Sequence, residues 1–185
     1  MWLRMHAFEP FSRANGPGVR AVVWVQGCSL GCPGCFNPGT HSADGGELVP
    51  VDDLFRRIVA LEGLVEGITV SGGEPLQQLP PLLALLRRVR RETALSVLLF
   101  TGYTWEEVQP MPDARLLLAC VDILVVGRYD ASKRLACDLR GSANQTVHLL
   151  TDRHTMDDLR PVPPAEIIVA EGGEVTVSGI DPLVW

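Results

Sequence analysis

Three of the five cysteines of the 185-residue chain, Cys28, Cys32 and Cys35, lie close together in a C-x3-C-x2-C spacing. Three neighbouring thiolates can hold three of the four irons of a [4Fe–4S] cluster, which leaves one iron open for another ligand. An open coordination position is typical of metal sites that carry out chemistry. The cysteines alternate with Gly27, Gly31 and Gly34, and glycine lets a backbone wrap closely around such a group.

The spacing alone leaves two other kinds of site open. A structural zinc site could use the three thiolates with His41 as its fourth ligand. The segment Cys32-Pro33-Gly34-Cys35 also has the C-x-x-C spacing of a redox-active thiol pair. Each of these sites is typical of a compartment that keeps thiols reduced, where disulfide bonds are rare.

Composition and charge narrow the class of protein. The length suits one domain, and the 46% hydrophobic and 21% charged residues are ordinary for a globular chain. The net charge of −6 argues against a nucleic-acid-binding protein. No apolar run is long enough to cross a membrane, and the first residues lack the apolar core of a secretion signal. We therefore expect a cytoplasmic protein with neither nucleic acid nor membrane as a partner.

Hydrophobic spacing predicts the elements that position the cysteines. Short apolar runs read as buried strands, and apolar residues at helical spacing lie between them. The predicted strands cover residues 20–26, 68–70, 96–100 and 121–126, and the predicted helices cover 51–62 and 80–92. A capping box of Thr104 and Glu107 predicts the start of another helix, and residues 36–50 read as a loop.

This alternation predicts an α/β fold with a parallel sheet flanked by helices. The units are too few for a closed eight-stranded barrel, so we expect a partial, open β/α barrel. The cysteine loop (residues 27–36) follows the first predicted strand. The SGGE loop (71–74), the TGYT loop (101–104) and the GRYD loop (127–130) follow the next three. Because parallel strands end at the same edge of a sheet, we expect the four loops to meet there.

The C-terminal part departs from this pattern. After a proline-rich break, residues 167–170 and 175–178 read as two short strands around Glu171-Gly172-Gly173-Glu174. We therefore expect a core domain over residues 1–150 and an extension over residues 151–185 that forms a β-hairpin.

The cysteine spacing, together with the G-G-E-P turn after the second strand, resembles the radical S-adenosylmethionine (SAM) enzymes. Over residues 10–150 the chain resembles the glycyl-radical-enzyme activases, above all the activating proteins of anaerobic ribonucleotide reductase. The blocks that carry this resemblance occur in order: NGPGVR (15–20), WVQGCSLGCPGCFNPGT (24–40), ITVSGGEPL (68–76), TGYTWEE (101–107), VDILVVGRYD (121–130) and LRGSANQTVH (139–148).

The resemblance implies the roles of individual residues. Cys28, Cys32 and Cys35 would ligate three irons of a [4Fe–4S] cluster, and SAM would chelate the fourth. The residues that would bind SAM are Ser71, Gly72, Gly73, Glu74, Thr101 and Gly102. The NGPG turn would shape the mouth through which a partner's glycine loop enters, and its residues are Asn15, Gly16, Pro17 and Gly18. No catalytic residue is expected beyond the cluster and SAM.

The implied activity is reductive cleavage of SAM to a 5′-deoxyadenosyl radical, which takes a Cα hydrogen from a glycine of a partner enzyme. The partner would be a glycyl radical enzyme such as anaerobic ribonucleotide reductase, and flavodoxin or ferredoxin would donate the electron. Two alternatives stay open. One is a radical SAM enzyme that acts on a peptide or small molecule, and the other is a zinc or iron–sulfur binding module without catalysis.

Residues outside these loops have simpler expected roles. Cys120 and Cys137 are expected to be buried as small hydrophobic residues. Trp24 lies in an apolar run and is expected in the core. Asn144 and Gln145 are expected to hold the last core strand by hydrogen bonds.

Overall fold

The computed structural model of the chain describes residues 1–169 and 172–181. The strands are β1 (Trp2–Ser12), β2 (Arg20–Val25), β3 (Glu47–Pro50), β4 (Gly67–Gly72), β5 (Ser96–Thr101), β6 (Ile123–Val126), β7 (Arg134–Cys137), β8 (Arg140–Ser142), β9 (Thr146–Leu149), β10 (Ala165–Val169) and β11 (Val175–Gly179). The α-helices are α1 (Val51–Val59), α2 (Leu79–Glu92), α3 (Trp105–Val108), α4 (Ala114–Leu118) and α5 (Met156–Leu159).

Seven strands form one mixed sheet in the order β3-β1-β2-β4-β5-β6-β9. The four strands β2, β4, β5 and β6 are parallel. β1 is antiparallel to β2 and β3, and β9 is antiparallel to β6. The α/β class and the parallel strands are therefore confirmed. Antiparallel strands, which the sequence did not predict, extend the sheet on both sides.

Helices α1 and α2 cover one face of this sheet. Leu54 and Ile58 of α1 and Leu82, Leu85 and Leu86 of α2 are fully buried there. Each such side chain contributes about 1.5–3 kcal/mol when it leaves water. α2 starts with prolines in its first turn and ends with arginines in its last, which suits both its backbone and its dipole. The larger of the two hydrophobic clusters therefore lies on this side and fixes the strands from behind.

The opposite face of the parallel strands lines a cavity. Trp24, Ser71 and Phe100 come from three adjacent strands and line it, whereas Val23 and Val25 of β2 are fully buried on the helix side. Side chains alternate between the faces of a strand, so Trp24 lies opposite to its neighbours. The prediction that Trp24 belongs to the core is wrong, because a continuous apolar run does not tell which face each residue takes.

Several predicted boundaries differ from the structure. The helix predicted over 51–62 ends at Val59, and the loop predicted over 36–50 contains β3 and a 3-10 turn at Pro38–Thr40. The capping box of Thr104 and Glu107 is confirmed at the start of α3. Cys120 is buried as expected. Cys137 is exposed at the end of β7 in a two-stranded ribbon with β8, so its predicted burial is wrong.

Near the C-terminus, β10 and β11 form an antiparallel pair, which confirms the predicted hairpin in its described part. Glu166 faces Ser178 and Ile168 faces Thr176 across the pair. Positions 170 and 171 of the predicted strand and turn lie outside the described residues. Among the helices that the structure describes, none is long and apolar enough to span a bilayer.

Candidate functional site

Loops from the ends of four strands converge on one cavity of about 410 Å³, as the sequence predicts. The cysteine loop contributes all three of its cysteines to the lining. The residues contributed by the other three loops are Ser71, Gly72, Gly73, Glu74, Thr101, Gly102, Gly127 and Tyr129. The residues predicted to bind a cluster and SAM are therefore brought together in one place.

Hydrogen bonds from its own backbone N–H groups hold the cysteine loop against neighbouring segments. The N–H groups of Gly27 and Cys28 donate to the carbonyl oxygens of Thr40 and His41 at 2.7 and 3.1 Å. The N–H of Ser29 donates to Oε1 of Gln77, which follows the SGGE loop, at 3.1 Å. The three glycines of the loop have φ values of 99°, 62° and 74°, a region that residues with a side chain rarely adopt. The loop therefore keeps its shape through backbone contacts.

Side chains also fix the cysteine loop against its neighbours. Phe36, directly after Cys35, meets Tyr129 of the GRYD loop edge to face, with ring centroids 5.0 Å apart. A Cβ on Gly102 would lie 2.4 Å from Cδ1 of Leu30, so the Leu30 side chain packs directly against this glycine. The first and third loops therefore pack closely together around the cavity.

The SGGE loop touches the cysteine loop backbone to backbone. The N–H of Gly73 donates to Val25 O, and the N–H of Glu74 donates to Gly27 O, both at 2.8 Å. A Cβ on Gly72 would lie 2.7 Å from Val25 N, and Gly72 has a φ of 103°. These glycines therefore allow the close contact that sets the position of the cysteine loop.

Glu74 ties the SGGE loop to the TGYT loop. Its side chain is 1% exposed. One carboxylate oxygen accepts bonds from Thr101 Oγ1 at 2.8 Å and from Leu76 N at 2.9 Å, and the other accepts from Gly102 N at 2.8 Å. Burial raises the pKa of Glu74, and these hydrogen bonds oppose the rise. Its visible role is to fix the distance between two loops that line the cavity.

The three thiols fit a cluster better than a single ion. Within residues 1–169 and 172–181, no three His, Cys, Asp or Glu side chains converge closely enough to hold one metal ion. A cluster instead takes each thiolate on a separate iron. This geometry therefore disfavours the predicted zinc site with His41, although His41 does line the cavity.

Burial affects two of the three thiols. It raises the pKa of Cys28 and of Cys35, and a thiol must lose its proton to bind metal. The three cysteine thiols, the glycine turns between them and the cavity beside them fit a [4Fe–4S] group held by three cysteines.

Asn15 is the residue of the NGPG turn that lines the cavity. Its side-chain amide donates to Ser12 Oγ at 2.8 Å and to Ser178 Oγ at 2.6 Å. Its backbone carbonyl oxygen accepts from Thr69 Oγ1 at 2.6 Å. Asn15 thus joins the sheet to strand β11 at the cavity wall.

The rest of the NGPG turn packs around the buried side chain of Arg20. A Cβ on Gly16 would lie 2.6 Å from this side chain, and one on Gly18 would lie 2.4 Å from Glu66. Pro17 O accepts from the Arg20 guanidinium at 3.2 Å. Gly16, Pro17 and Gly18 therefore shape the turn from behind the cavity.

The sequence reasoning missed one wall of the cavity. Strand β11 lines it through residues 176–179, and none of the motifs reaches that far along the chain. Asn144 and Gln145 behave as predicted: their amides donate to Arg128 O at 2.8 Å and to Gly127 O at 2.9 Å. These bonds hold the GRYD loop against the start of β9.

Comparisons with known proteins agree with this geometry. A family model described as a 4Fe-4S single cluster domain matches residues 14–148. The anaerobic ribonucleoside-triphosphate reductase-activating protein of Salmonella typhi is 33% identical over 80% of this chain and 99% of its own length. The protein of the same name from Enterobacteria phage T4 is 31% identical over 77% of this chain and 92% of its own.

Among solved structures, QueE from Escherichia coli aligns with a TM-score of 0.42 at 19% identity, over 56% of this chain and 54% of that one. The family assignment comes from the sequence matches, which include the cysteine loop and the three loops beside it. The chain belongs to the family of anaerobic ribonucleoside-triphosphate reductase-activating proteins, with a 4Fe–4S single cluster domain.

Proposed function

We propose that the chain is a radical SAM enzyme that installs a glycyl radical on anaerobic ribonucleoside-triphosphate reductase. The observation that carries the proposal is the convergence of Cys28, Cys32 and Cys35 with the SGGE loop on one cavity. The named relatives support the choice of partner, since they are activating proteins of that reductase. A one-electron donor such as flavodoxin or ferredoxin would reduce the cluster.

The chemistry that the cluster and SAM supply when bound is one-electron cleavage of the sulfonium C–S bond, which gives methionine and a 5′-deoxyadenosyl radical that takes a Cα hydrogen from glycine. Cys28, Cys32 and Cys35 would each hold one iron through a thiolate. Ser71 and Gly72 end β4 inside the cavity and would meet SAM, together with Gly73, Thr101 and Gly102. The bonds of Glu74 would keep these two loops at a fixed separation.

Apolar side chains protect the reaction from water. Trp24, Phe36, Phe100 and Tyr129 line the cavity around the cysteines and the SGGE loop. A reactive carbon radical needs such a shield, because it abstracts hydrogen from whatever it meets. Placement and exclusion of water are therefore the contributions of the protein, and the group it holds performs the difficult step.

We also propose that the chain consists of an open-barrel core and a C-terminal extension. The four parallel strands with their loops at one edge support an open β/α barrel over the core, residues 1–150. The hairpin β10–β11 supports a separate extension over residues 151–185. Asn15 at the cavity wall supports a contribution of the NGPG turn to the space that would take the glycine loop.

Isotope transfer tests the proposed function. We would incubate the reconstituted protein anaerobically with SAM, a strong reductant and the reductase from the same source, labelled with Cα-deuterated glycine. We expect a glycyl radical signal in electron paramagnetic resonance and one deuterium in the 5′-deoxyadenosine that forms. Unlabelled 5′-deoxyadenosine without a protein radical would instead favour a peptide or small-molecule substrate. The observation behind this second candidate, a peptide or small-molecule substrate, is that β11 adds a wall to the cavity.

A further inference from the structure

Strand β11 forms one wall of the cavity. Ser178 of β11 accepts a bond from Asn15, and Asn15 in turn accepts one from Thr69 in the middle of β4. The SGGE loop, by contrast, begins where β4 ends. If the cluster and SAM take up the end with the cysteines, the remaining space is bounded by β11.

Contacts to the end of β1 and to β7 hold the hairpin in this place. Ser12 Oγ and Arg13 N both donate to the carboxylate of Glu166, the second at 2.9 Å. Arg134 of β7 forms an ion pair with Asp181, directly after the hairpin. These contacts hold Glu166 of β10 and Asp181 after β11, and Asn15 holds Ser178 of β11. The position of β11 as a wall of the cavity is therefore fixed by contacts on each side of the hairpin.

The wall is an addition to the part of the chain that binds the cluster. The matched 4Fe-4S single cluster domain ends at residue 148, and β10 begins at Ala165. Among residues 1–169 and 172–181, the hydrogen bonds of the cysteine, SGGE and TGYT loops involve no residue of β10 or β11. The hairpin therefore changes the room left for the substrate and leaves the cluster site as it is.

Exposure singles out one residue of this wall. Ser178 is buried against Asn15, so its face of β11 points into the protein. Side chains alternate along a strand, so Thr176 lies on the same face. Val177, on the other face, also lines the cavity but is half-buried. Thr176 lines the cavity and is exposed, which places it at the mouth. Val175, its neighbour, is 58% exposed and does not line the cavity.

We propose that β11 is a specificity wall, against which the partner's glycine-bearing segment lies, and that Thr176 selects this segment at the mouth. The inference rests on the proposed function and deepens it. β11 and the cysteines line one continuous cavity, so an extended segment that enters along this wall reaches the cysteines. A small hydroxyl side chain at that point leaves room for a backbone without a side chain and offers it a hydrogen bond.

A bulky residue at the mouth tests the wall. We would compare Thr176→Trp with Val175→Trp, which adds the same ring to the next position on the outer face. We expect Thr176→Trp to raise the KM for the reductase about tenfold or more, a change of about 1.4 kcal/mol. Binding of the cluster-free protein to purified reductase should weaken by the same factor. Val175→Trp should behave as the wild type does in both measurements.

The outcomes separate the wall from the proposed function. Unchanged binding and KM in Thr176→Trp would overturn the wall, and so would tighter binding, since β11 would then be an obstacle that the reductase displaces. A wild-type protein that cleaves SAM but neither binds nor activates the reductase would instead remove the proposed partner, and the wall with it. Thr176→Ser, which keeps the hydroxyl and the small volume, should retain wild-type binding.

Discussion

A Cβ placed on Gly73 would lie 2.3 Å from the carbonyl oxygen of Gly27, so these two glycines bring the SGGE loop and the cysteine loop into direct backbone contact. The contacted atom belongs to the backbone and cannot rotate away. The G-G-E pattern and the cysteine pattern are therefore parts of one structural unit. This contact explains why a glycine is needed at position 73 even where it touches no ligand.

The first prediction concerns Gly73→Ala. The added methyl group should push the two loops apart, lower the free energy of unfolding by about 1–3 kcal/mol and reduce the iron bound after reconstitution. Gly172→Ala is the control, because a Cβ there meets no atom within 4 Å. Urea unfolding and iron analysis measure both effects. Full iron content and wild-type stability in Gly73→Ala would show that the contact is dispensable.

The second prediction concerns Glu74→Gln. The amide of glutamine would bring a donor toward the N–H of Gly102 or the N–H of Leu76, so at least one buried hydrogen bond is lost. We expect the free energy of unfolding to fall by about 1–3 kcal/mol in urea titrations of the metal-free protein. Glu106→Gln, at an exposed position of α3, should change it by less than about 0.5 kcal/mol. Equal stabilities of the two variants would contradict the role assigned to Glu74.

The third prediction concerns the buried guanidinium of Arg20. It donates to Ile68 O at 2.6 Å, to Thr69 Oγ1 at 2.8 Å and to both oxygens of Ser96, and burial lowers the pKa of Arg20 to about 10. Arg20→Met should leave these acceptors without a donor and cost on the order of 3 kcal/mol. Arg57→Met, at an exposed position of α1, is the matched control. Thermal unfolding that is alike in both would argue against this network.

The fourth prediction concerns the pH dependence of stability through Asp122. Burial alone would raise the pKa of Asp122, but bonds from Thr151, from Val97 N and from Arg90 hold it below its ordinary value of 3.8. A lowered carboxyl pKa contributes stability that is fully present above pH 3.8 and is lost as the pH falls from there through the lower pKa of the folded state.

Asp122→Asn should therefore be about 1–3 kcal/mol less stable than the wild type at pH 7, and the difference should shrink toward pH 3. Asp53→Asn, which changes a surface ion pair of α1, should show only a small difference at either pH. Urea midpoints over this range give the comparison. A gap between wild type and Asp122→Asn that stays constant down to pH 3 would contradict the assignment.

Much of the site could be predicted from sequence because its residues lie in short motifs directly after strands. The runs at β2, β4, β5 and β6 are apolar enough to identify as buried strands, and parallel strands bring their following loops to one edge. Strand β1 could not be found in this way. Its sequence mixes Leu3 and Met5 with Arg4, Glu9 and Pro10, because one of its faces is partly exposed.

The wall formed by β11 could be predicted only as a hairpin. Its apolar alternation identifies the strands, but the contacts of Glu166 with Ser12 and of Ser178 with Asn15 join residues more than 150 positions apart. No local pattern encodes such pairing. Cys137 shows the opposite error, since the usual burial of a free cysteine does not hold in a ribbon of two short strands.

The measurement that tests the central claim most directly is the yield of 5′-deoxyadenosine from SAM by the anaerobically reconstituted, reduced protein. The comparison needs Cys32→Ala, which removes a proposed cluster ligand, and Cys137→Ala, which removes an exposed cysteine outside the cavity. We expect the wild type and Cys137→Ala to form the product at equal rates and Cys32→Ala to form none. Product formation by Cys32→Ala, or a wild-type protein that binds iron but leaves SAM intact, would contradict the account.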